Sequence, residues 1–177
     1  MPETKPATEW VNGRALQKVS PQRKHALAQS VFGSALYTWA METGLGRVGT
    51  EWEFRIAPVG EQLRPLVPDV AYLSYGRVPY EKAAEADIPR VAPDAVVEVR
   101  SPGDRQADIE EKVRVYLAAG TSVVFLVDTD ERTVTARGRE GMHTFHNSDE
   151  LRHQAMPGFS LKTNLLFEEP RPKKAAD

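Results

Sequence analysis

One segment near the middle of the chain constrains the fold more than any other. Residues 94–100 have the pattern of a strand, Ser101-Pro102-Gly103 interrupts them, and a helical pattern runs from about 104 to 119 before Gly120. The unbroken apolar run at 123–127 is typical of a buried strand. A strand, a helix and a second strand in this order predict a right-handed crossover between two parallel strands. Because α/β sheets place their sites beside the ends of such strands, we expect the functional residues there.

The segments on either side of this unit predict further strands and one long helix. Asn12-Gly13 is a favoured two-residue turn, so we expect a hairpin over 10–19. Ser20-Pro21 has the pattern of a helix N-cap followed by proline, and that helix should extend to about residue 42. The other predicted elements are strands at 47–56 and 69–74, a loop at 86–92, and an antiparallel pair at 133–137 and 142–145. This order predicts an α/β fold (α+β-like), with a central mixed sheet flanked by helices.

The length and composition suit one domain, which we expect at 9–167 of the 177 residues. Residues 1–8 and 168–177 are polar and contain prolines, which predicts a disordered arm and tail. The absence of cysteine excludes disulfides and thiolate metal sites and fits a reducing cytoplasm. No apolar run approaches the roughly 20 residues that span a bilayer, so we predict a cytoplasmic protein without membrane partners. The net charge of −2 does not itself indicate nucleic-acid binding, which depends on charge distribution.

Two carboxylates stand in strands that should be buried. Glu98 is flanked by valines, and Asp69 opens the apolar run at 69–73. A buried carboxylate is costly unless a cation or metal compensates it. Two such groups converging at one edge of a sheet make an oxygen site suited to Mg²⁺ or Mn²⁺. The alternatives are an ion pair of Glu98 with an arginine such as Arg100, and a turn-capping role for Asp69 after Pro68.

Lys112 lies on the predicted helix, on the same face as Asp108 and Tyr116. One interpretation is a solvated Asp108–Lys112 ion pair. The other places the Lys112 ammonium over the two carboxylates, where it could orient a water molecule and stabilise charge on a phosphate oxygen.

Several segments, in this order and spacing, resemble the Uma-two family of proposed restriction endonucleases. The resemblance covers roughly residues 9–167. It rests on Glu9–Gly13, His25, Pro68-Asp69, Pro93–Pro102, Asp108, Lys112, Tyr116, Gly120, Val124–Asp128, Met156–Phe159 and Leu165–Phe167.

The resemblance implies the PD-(D/E)xK nuclease fold and metal-dependent hydrolysis of DNA phosphodiester bonds. Asp69 and Glu98 match the motif carboxylates, which would hold Mg²⁺ or Mn²⁺ together with the backbone carbonyl of Val99. The motif lysine is replaced by Arg100, which stays protonated and is a poor base but can bind a phosphate. Lys112 on the following helix is then the matching lysine, and it would orient the attacking water.

Three further expectations follow from the resemblance. Glu51 or Glu53 could add a carboxylate to the metal site, and strand alternation does not choose between them because both would lie on one face. A homodimer is expected, because a duplex is cut more easily by two active sites. The alternative function is a catalytically inactive nuclease-fold protein that binds nucleic acid or a protein partner, which the arginine at position 100 and the slightly acidic net charge favour.

Overall fold

A six-stranded sheet lies at the centre of the computed structural model, which describes residues 6–173. Its strands are, in chain order, Gly46–Thr50 (β3), Val70–Ser74 (β6), Ala95–Val99 (β7), Val123–Asp128 (β8), Thr133–Gly138 (β9) and Gly141–His146 (β10). The strand order across the sheet is β10-β9-β8-β7-β6-β3.

The remaining elements surround this sheet. Three two-stranded sheets are formed by Thr8–Val11 (β1) with Arg14–Gln17 (β2), by Phe54–Ile56 (β4) with Arg64–Leu66 (β5), and by Glu150–Leu151 (β11) with Leu161–Lys162 (β12). The α-helices are Arg23–Thr43 (α1) and Gln106–Ala119 (α2), and short 3-10 helices occupy Tyr80–Ala86 and Thr163–Phe167.

The pairing of β7 with β8 is parallel, whereas the other neighbouring strands of the central sheet run antiparallel. Since α2 connects β7 to β8, the predicted strand–helix–strand unit is confirmed, and so is the mixed sheet flanked by helices. The hairpin of β1 and β2 is also confirmed, because Asn12 and Gly13 both take the positive φ values, 49° and 71°, that this tight turn requires.

Each face of the sheet packs into its own core. On one face, α1 buries Phe32 and Leu36 against strand residues that include Val97 and Val99. On the other face, α2 buries Val113 and Tyr116 against a layer that includes Val96 and the small sheet of β4 and β5. Side chains alternate along a strand, so Glu98 belongs to the α2 face, where Lys112 binds it.

The predicted strand at 47–56 is wrong because the chain turns in its middle. Glu51 has a φ of +50°, which is incompatible with a continuing strand, so β3 ends at Thr50 and β4 begins a separate sheet. The turn also separates the two glutamates. Glu51 enters the cleft described below, whereas Glu53 forms an ion pair with Arg55 at 3.0 Å.

The predicted N-cap of α1 is also wrong, because the helix begins at Arg23 and its N-cap is Gln22. The first helical hydrogen bond runs from the Ala26 amide to the Gln22 carbonyl at 2.9 Å, while Ser20 and Pro21 line the cleft instead.

The predicted arm at 1–8 falls largely on residues 1–5, which lie outside the described residues, and Thr8 is already part of β1. Residues 174–177 of the predicted tail also lie outside them.

Candidate metal and catalytic site

A cleft of about 650 Å³ lies where β6, β7, α2 and the N-terminal hairpin meet. Its lining contains all the residues that the sequence predicted for the site, which are Asp69, Glu98, Val99, Arg100 and Lys112. The crossover explains this convergence, because β7 carries Glu98 and α2 then carries Lys112 back across the same face of the sheet.

Asp69 stands immediately before β6, with only 3% of its side chain exposed. Its Oδ1 accepts a hydrogen bond from Lys18 Nζ at 2.7 Å, and its Oδ2 accepts one from the Val99 amide at 2.7 Å and lies 3.3 Å from His25 Nε2. Burial favours the neutral acid, but the His25 hydrogen bond and the Lys18 charge outweigh it and hold the pKa of Asp69 well below its usual range. The carboxylate therefore joins two neighbouring strands instead of capping its own turn.

Glu98 is held by two groups of α2. Its Oε2 accepts a hydrogen bond from Lys112 Nζ at 2.7 Å, and its Oε1 accepts one from the Tyr116 hydroxyl at 3.1 Å. Burial raises the pKa of Glu98 to about 7, with the charges of Glu9 and Asp69 adding to the effect and Lys112 opposing it. The alternative of a Glu98–Arg100 pair is wrong, because Arg100 pairs with Asp128 at 3.2 Å.

Lys112 places its ammonium between two glutamates, 2.7 Å from Glu98 Oε2 and 2.9 Å from Glu9 Oε1. Burial favours the neutral amine, but the charges of Glu9 and Glu98 outweigh it and keep the pKa of Lys112 above its usual value. The solvated Asp108–Lys112 pair is wrong, because Asp108 binds Arg14 and Asn12 of the hairpin turn instead.

Two charged residues that sequence reasoning left without a role complete the site. Glu9 of β1 binds Lys112, and its Oε1 also accepts a hydrogen bond from the Val67 amide at 2.9 Å. Lys18, just after β2, binds Asp69 and Glu51. Both come from the N-terminal hairpin, and a hairpin pattern does not indicate which distant residues it will contact. The order of segments within the family resemblance included Glu9 but gave no sign of Lys18.

The charges in this cluster leave room for one divalent cation. In the part of the chain that the structure describes, the carboxylates of Glu9, Glu51, Asp69 and Glu98 face two ammonium groups, from Lys18 and Lys112, so two negative charges remain when all four carboxylates are ionised and His25 is neutral. Within residues 6–173, no three His, Asp or Glu side chains are grouped closely enough to hold a metal ion. Mg²⁺, however, commonly uses one or two carboxylates and keeps several water ligands, so the donor set fits such an ion.

Comparison with known proteins gives the family. The family model that matches residues 1–164 is Uma2, described as "Putative restriction endonuclease". The chain belongs to the Uma2 (Uma-two) family. The resemblance in the sequence is thereby confirmed.

A solved structure supports the Uma2 assignment and the fold. The chain is similar to the crystal structure of "a putative nuclease belonging to DUF820" from Anabaena variabilis ATCC 29413, with a TM-score of 0.81 and 29% identity over 94% of this chain and 93% of that one. No curated protein matches the sequence. Family and fold are thus nuclease-like.

The part of the Uma2 chain that the structure describes contains no helix long and apolar enough to cross a membrane, and the cytoplasmic location stays a prediction.

Proposed function

We propose that this Uma2 protein is an endonuclease that uses Mg²⁺ or Mn²⁺ to hydrolyse DNA phosphodiester bonds. The observation that carries the proposal is the meeting of Asp69, Glu98 and Lys112 in one cleft of a nuclease-like fold, with Lys112 Nζ 2.7 Å from Glu98. Two carboxylates and an ammonium are the groups that metal-assisted phosphodiester hydrolysis requires from a protein.

Each residue has a distinct task in this proposal. Asp69 and Glu98 would hold the metal, together with the backbone carbonyl of Val99. A bound metal lowers the pKa of a water ligand and neutralises charge on the phosphate. Glu9 and Glu98 hold Lys112 in place, and its ammonium would donate a hydrogen bond that orients the attacking water. Of the two glutamates considered as a further carboxylate, Glu51 lines the cleft and Glu53 does not, and in the metal-free protein Glu51 holds Lys18.

Arg100 is proposed to grip a phosphate next to the one that is cleaved. Its side chain lines the cleft and is 40% exposed, and its guanidinium contacts Asp128 at 3.2 Å and Gln106 at 3.3 Å. A guanidinium binds phosphate oxygens in a bidentate manner, so Arg100 can exchange these contacts for DNA.

A nicking assay on supercoiled plasmid tests the proposed activity. The wild type should nick the plasmid with Mg²⁺ or Mn²⁺ and lose activity in EDTA. Glu98→Gln should lower the rate by at least about 100-fold, because it removes a metal ligand. Glu111→Gln is the matched control, since Glu111 lies on α2 but pairs with Arg64 and Arg114 outside the cleft, and it should leave the rate unchanged.

The second candidate is an inactive nuclease-fold protein that binds nucleic acid or a protein partner. The observation in its favour is that both Asp69 and Glu98 already have lysine partners. This candidate gains support if the wild type shifts DNA on a gel but leaves the plasmid intact with either metal.

We also propose a homodimer, which light scattering at micromolar concentration would detect as a particle of twice the 19.7 kDa chain mass.

A further inference from the structure

Lys18 is enclosed by three oxygen atoms from three separate parts of the chain. Its Nζ lies 2.7 Å from Asp69 Oδ1, 2.8 Å from the Val67 carbonyl oxygen and 3.0 Å from Glu51 Oε2. We call these three groups the oxygen cage. Two carboxylates and a carbonyl are also the kind of ligands that hard metal cations take in proteins. The proposed hydrolysis assigns no task to this ammonium.

The oxygen cage shares Asp69 with the proposed metal site. Asp69 Oδ2 is already engaged by the Val99 amide and lies close to His25, so Oδ1 is the oxygen better placed to take a further cation. Lys18 holds that oxygen. Two cations on one carboxylate oxygen repel each other strongly in a site with little solvent, so a metal ion and the Lys18 ammonium compete there.

The other lysine of the site is held differently. Lys112 has two well-buried partners, and one of them, Glu9, is only 7% exposed. The second carboxylate of Lys18 is Glu51, which is 44% exposed. An ammonium that leaves Asp69 can therefore stay beside Glu51 in contact with water, whereas both carboxylates that hold Lys112 are buried, with Glu98 only 14% exposed. Lys18 is thus the lysine that can move.

We infer that Lys18 is a placeholder cation, which neutralises Asp69 in the metal-free protein and leaves it when a divalent cation binds. The inference rests on the proposed function, because it takes Asp69 as a metal ligand. It has two consequences. Lys18 weakens the apparent affinity for metal, and metal binding exposes an ammonium inside the cleft, where the proposed function places a phosphate.

Lysine acetylation of the wild-type protein tests this exchange directly. The protein is treated with an N-hydroxysuccinimide acetate reagent at fixed pH, with and without Mn²⁺, and modification is measured for each lysine by mass spectrometry. Mn²⁺ should raise the labelling of Lys18 several-fold. Lys82, a surface lysine paired with Glu85, should be unaffected. In Glu98→Gln, which lacks a proposed metal ligand, Lys18 labelling should not respond to Mn²⁺.

The melting temperature of the same samples separates failure of this inference from failure of the proposed function. If Mn²⁺ raises the melting temperature of the wild type but Lys18 labelling stays constant or falls, the exchange is wrong and the metal site stands. If neither quantity responds to Mn²⁺, the exchange is overturned together with the metal-dependent function.

Substitution of Lys18 gives an independent measurement. Lys18→Met removes the ammonium and keeps most of the aliphatic chain. Mn²⁺ affinity, measured by titration calorimetry, should rise about tenfold if Lys18 occupies Asp69 in about nine molecules of ten. Lys82→Met serves as the control and should bind Mn²⁺ like the wild type. An equal or weaker affinity of Lys18→Met would contradict the inference, and if that variant does not fold, the labelling of the wild type still decides.

Discussion

At the scale of single residues, Glu98 reports most directly on the electrostatics of the site. It contacts one ammonium, from Lys112, but shares that ammonium with Glu9. Burial, with a smaller effect of the Glu9 charge, raises the pKa of Glu98 to about 7, whereas the pKa of Asp69 is lowered because His25 and Lys18 both face it. The two carboxylates of the proposed metal site therefore differ in the metal-free protein: Asp69 faces both Lys18 and His25, whereas Glu98 shares the ammonium of Lys112 with Glu9.

This difference predicts how stability depends on pH. The folded protein binds the Glu98 proton more tightly than the unfolded chain, whose glutamate has a pKa near 4.5. The free energy of unfolding of the metal-free wild type should therefore fall as the pH rises from about 4.5 to about 7. In Glu98→Gln this contribution is missing. The difference in the free energy of unfolding between the wild type and Glu98→Gln should therefore change by up to about 3 kcal/mol over that range. Each unit of pKa difference between the folded and unfolded states contributes about 1.4 kcal/mol.

Urea unfolding at pH 5, 6, 7 and 8, in the presence of EDTA, measures this difference. Asp69 stays ionised throughout this range, because its pKa is lowered, and so does not contribute to the trend. A wild-type stability that runs parallel to that of Glu98→Gln at every pH would contradict the raised pKa.

At the scale of elements, two glycines show how closely the layers pack. A Cβ atom at Gly46 on β3 would lie 2.5 Å from the Leu73 carbonyl oxygen and 2.7 Å from Ser74 Cα on β6. A Cβ atom at Gly33 in α1 would meet Thr50 Cγ2 at 3.4 Å, an ordinary contact. The pairing of the edge strand β3 with β6 therefore leaves no room for a side chain at Gly46, whereas α1 has room for a methyl group at Gly33.

Alanine substitutions at these positions should have opposite effects on stability. Gly46→Ala should lower the free energy of unfolding by about 1–3 kcal/mol, because the backbone of β3 must move away from β6. Gly33→Ala should raise it by about 0.5–1 kcal/mol, since alanine costs less conformational entropy in a helix. Each variant is the control for the other in urea unfolding. Equal changes of the same sign in the free energy of unfolding of the two variants would contradict this explanation from packing.

The elements also show what the sequence could predict. The β7–α2–β8 unit could be predicted because local alternation, a Ser-Pro-Gly interruption and a terminal glycine all lie within one stretch of chain. The break at Glu51 could not, because its strand-like pattern hides a residue with positive φ. Asp69, Glu98 and Lys112 stood out by residue type and family order, whereas the role of Lys18 depends on contacts with residues about 30 and 50 positions away.

At the scale of the whole molecule, a chain with a net charge of −2 must bind a polyanion if it cuts DNA. Basic residues do surround the cleft and the adjoining groove, but acidic partners already hold several of them. Arg14 pairs with Asp108, Lys24 with Asp130 and Arg100 with Asp128. Binding of a phosphate must therefore compete with these ion pairs, so we expect modest affinity for DNA and a strong dependence on salt.

A pair of substitutions tests this competition at Arg100. Arg100→Gln should weaken DNA binding by up to about tenfold at low salt and reduce the salt slope by about 1. Asp128→Asn should strengthen binding, because it releases the guanidinium. Arg139→Gln, in the turn between β9 and β10, is the matched control and should have no effect, since Arg139 contacts Leu117 near the opposite end of α2.

Fluorescence anisotropy with a labelled duplex in EDTA measures all three variants without cleavage. Weaker binding by Asp128→Asn, or no change in Arg100→Gln, would remove Arg100 from the DNA-binding surface.

A crystal soaked in Mn²⁺ shows directly whether Asp69 and Glu98 share one divalent cation, as the proposed function requires. We expect an anomalous peak about 2.1 Å from an oxygen atom of each carboxylate, close to the distances that Mg²⁺ takes to oxygen. We also expect that the Lys18 ammonium has left Asp69. A map without a peak between the two carboxylates, in which Lys18 still holds Asp69, would contradict the shared metal site.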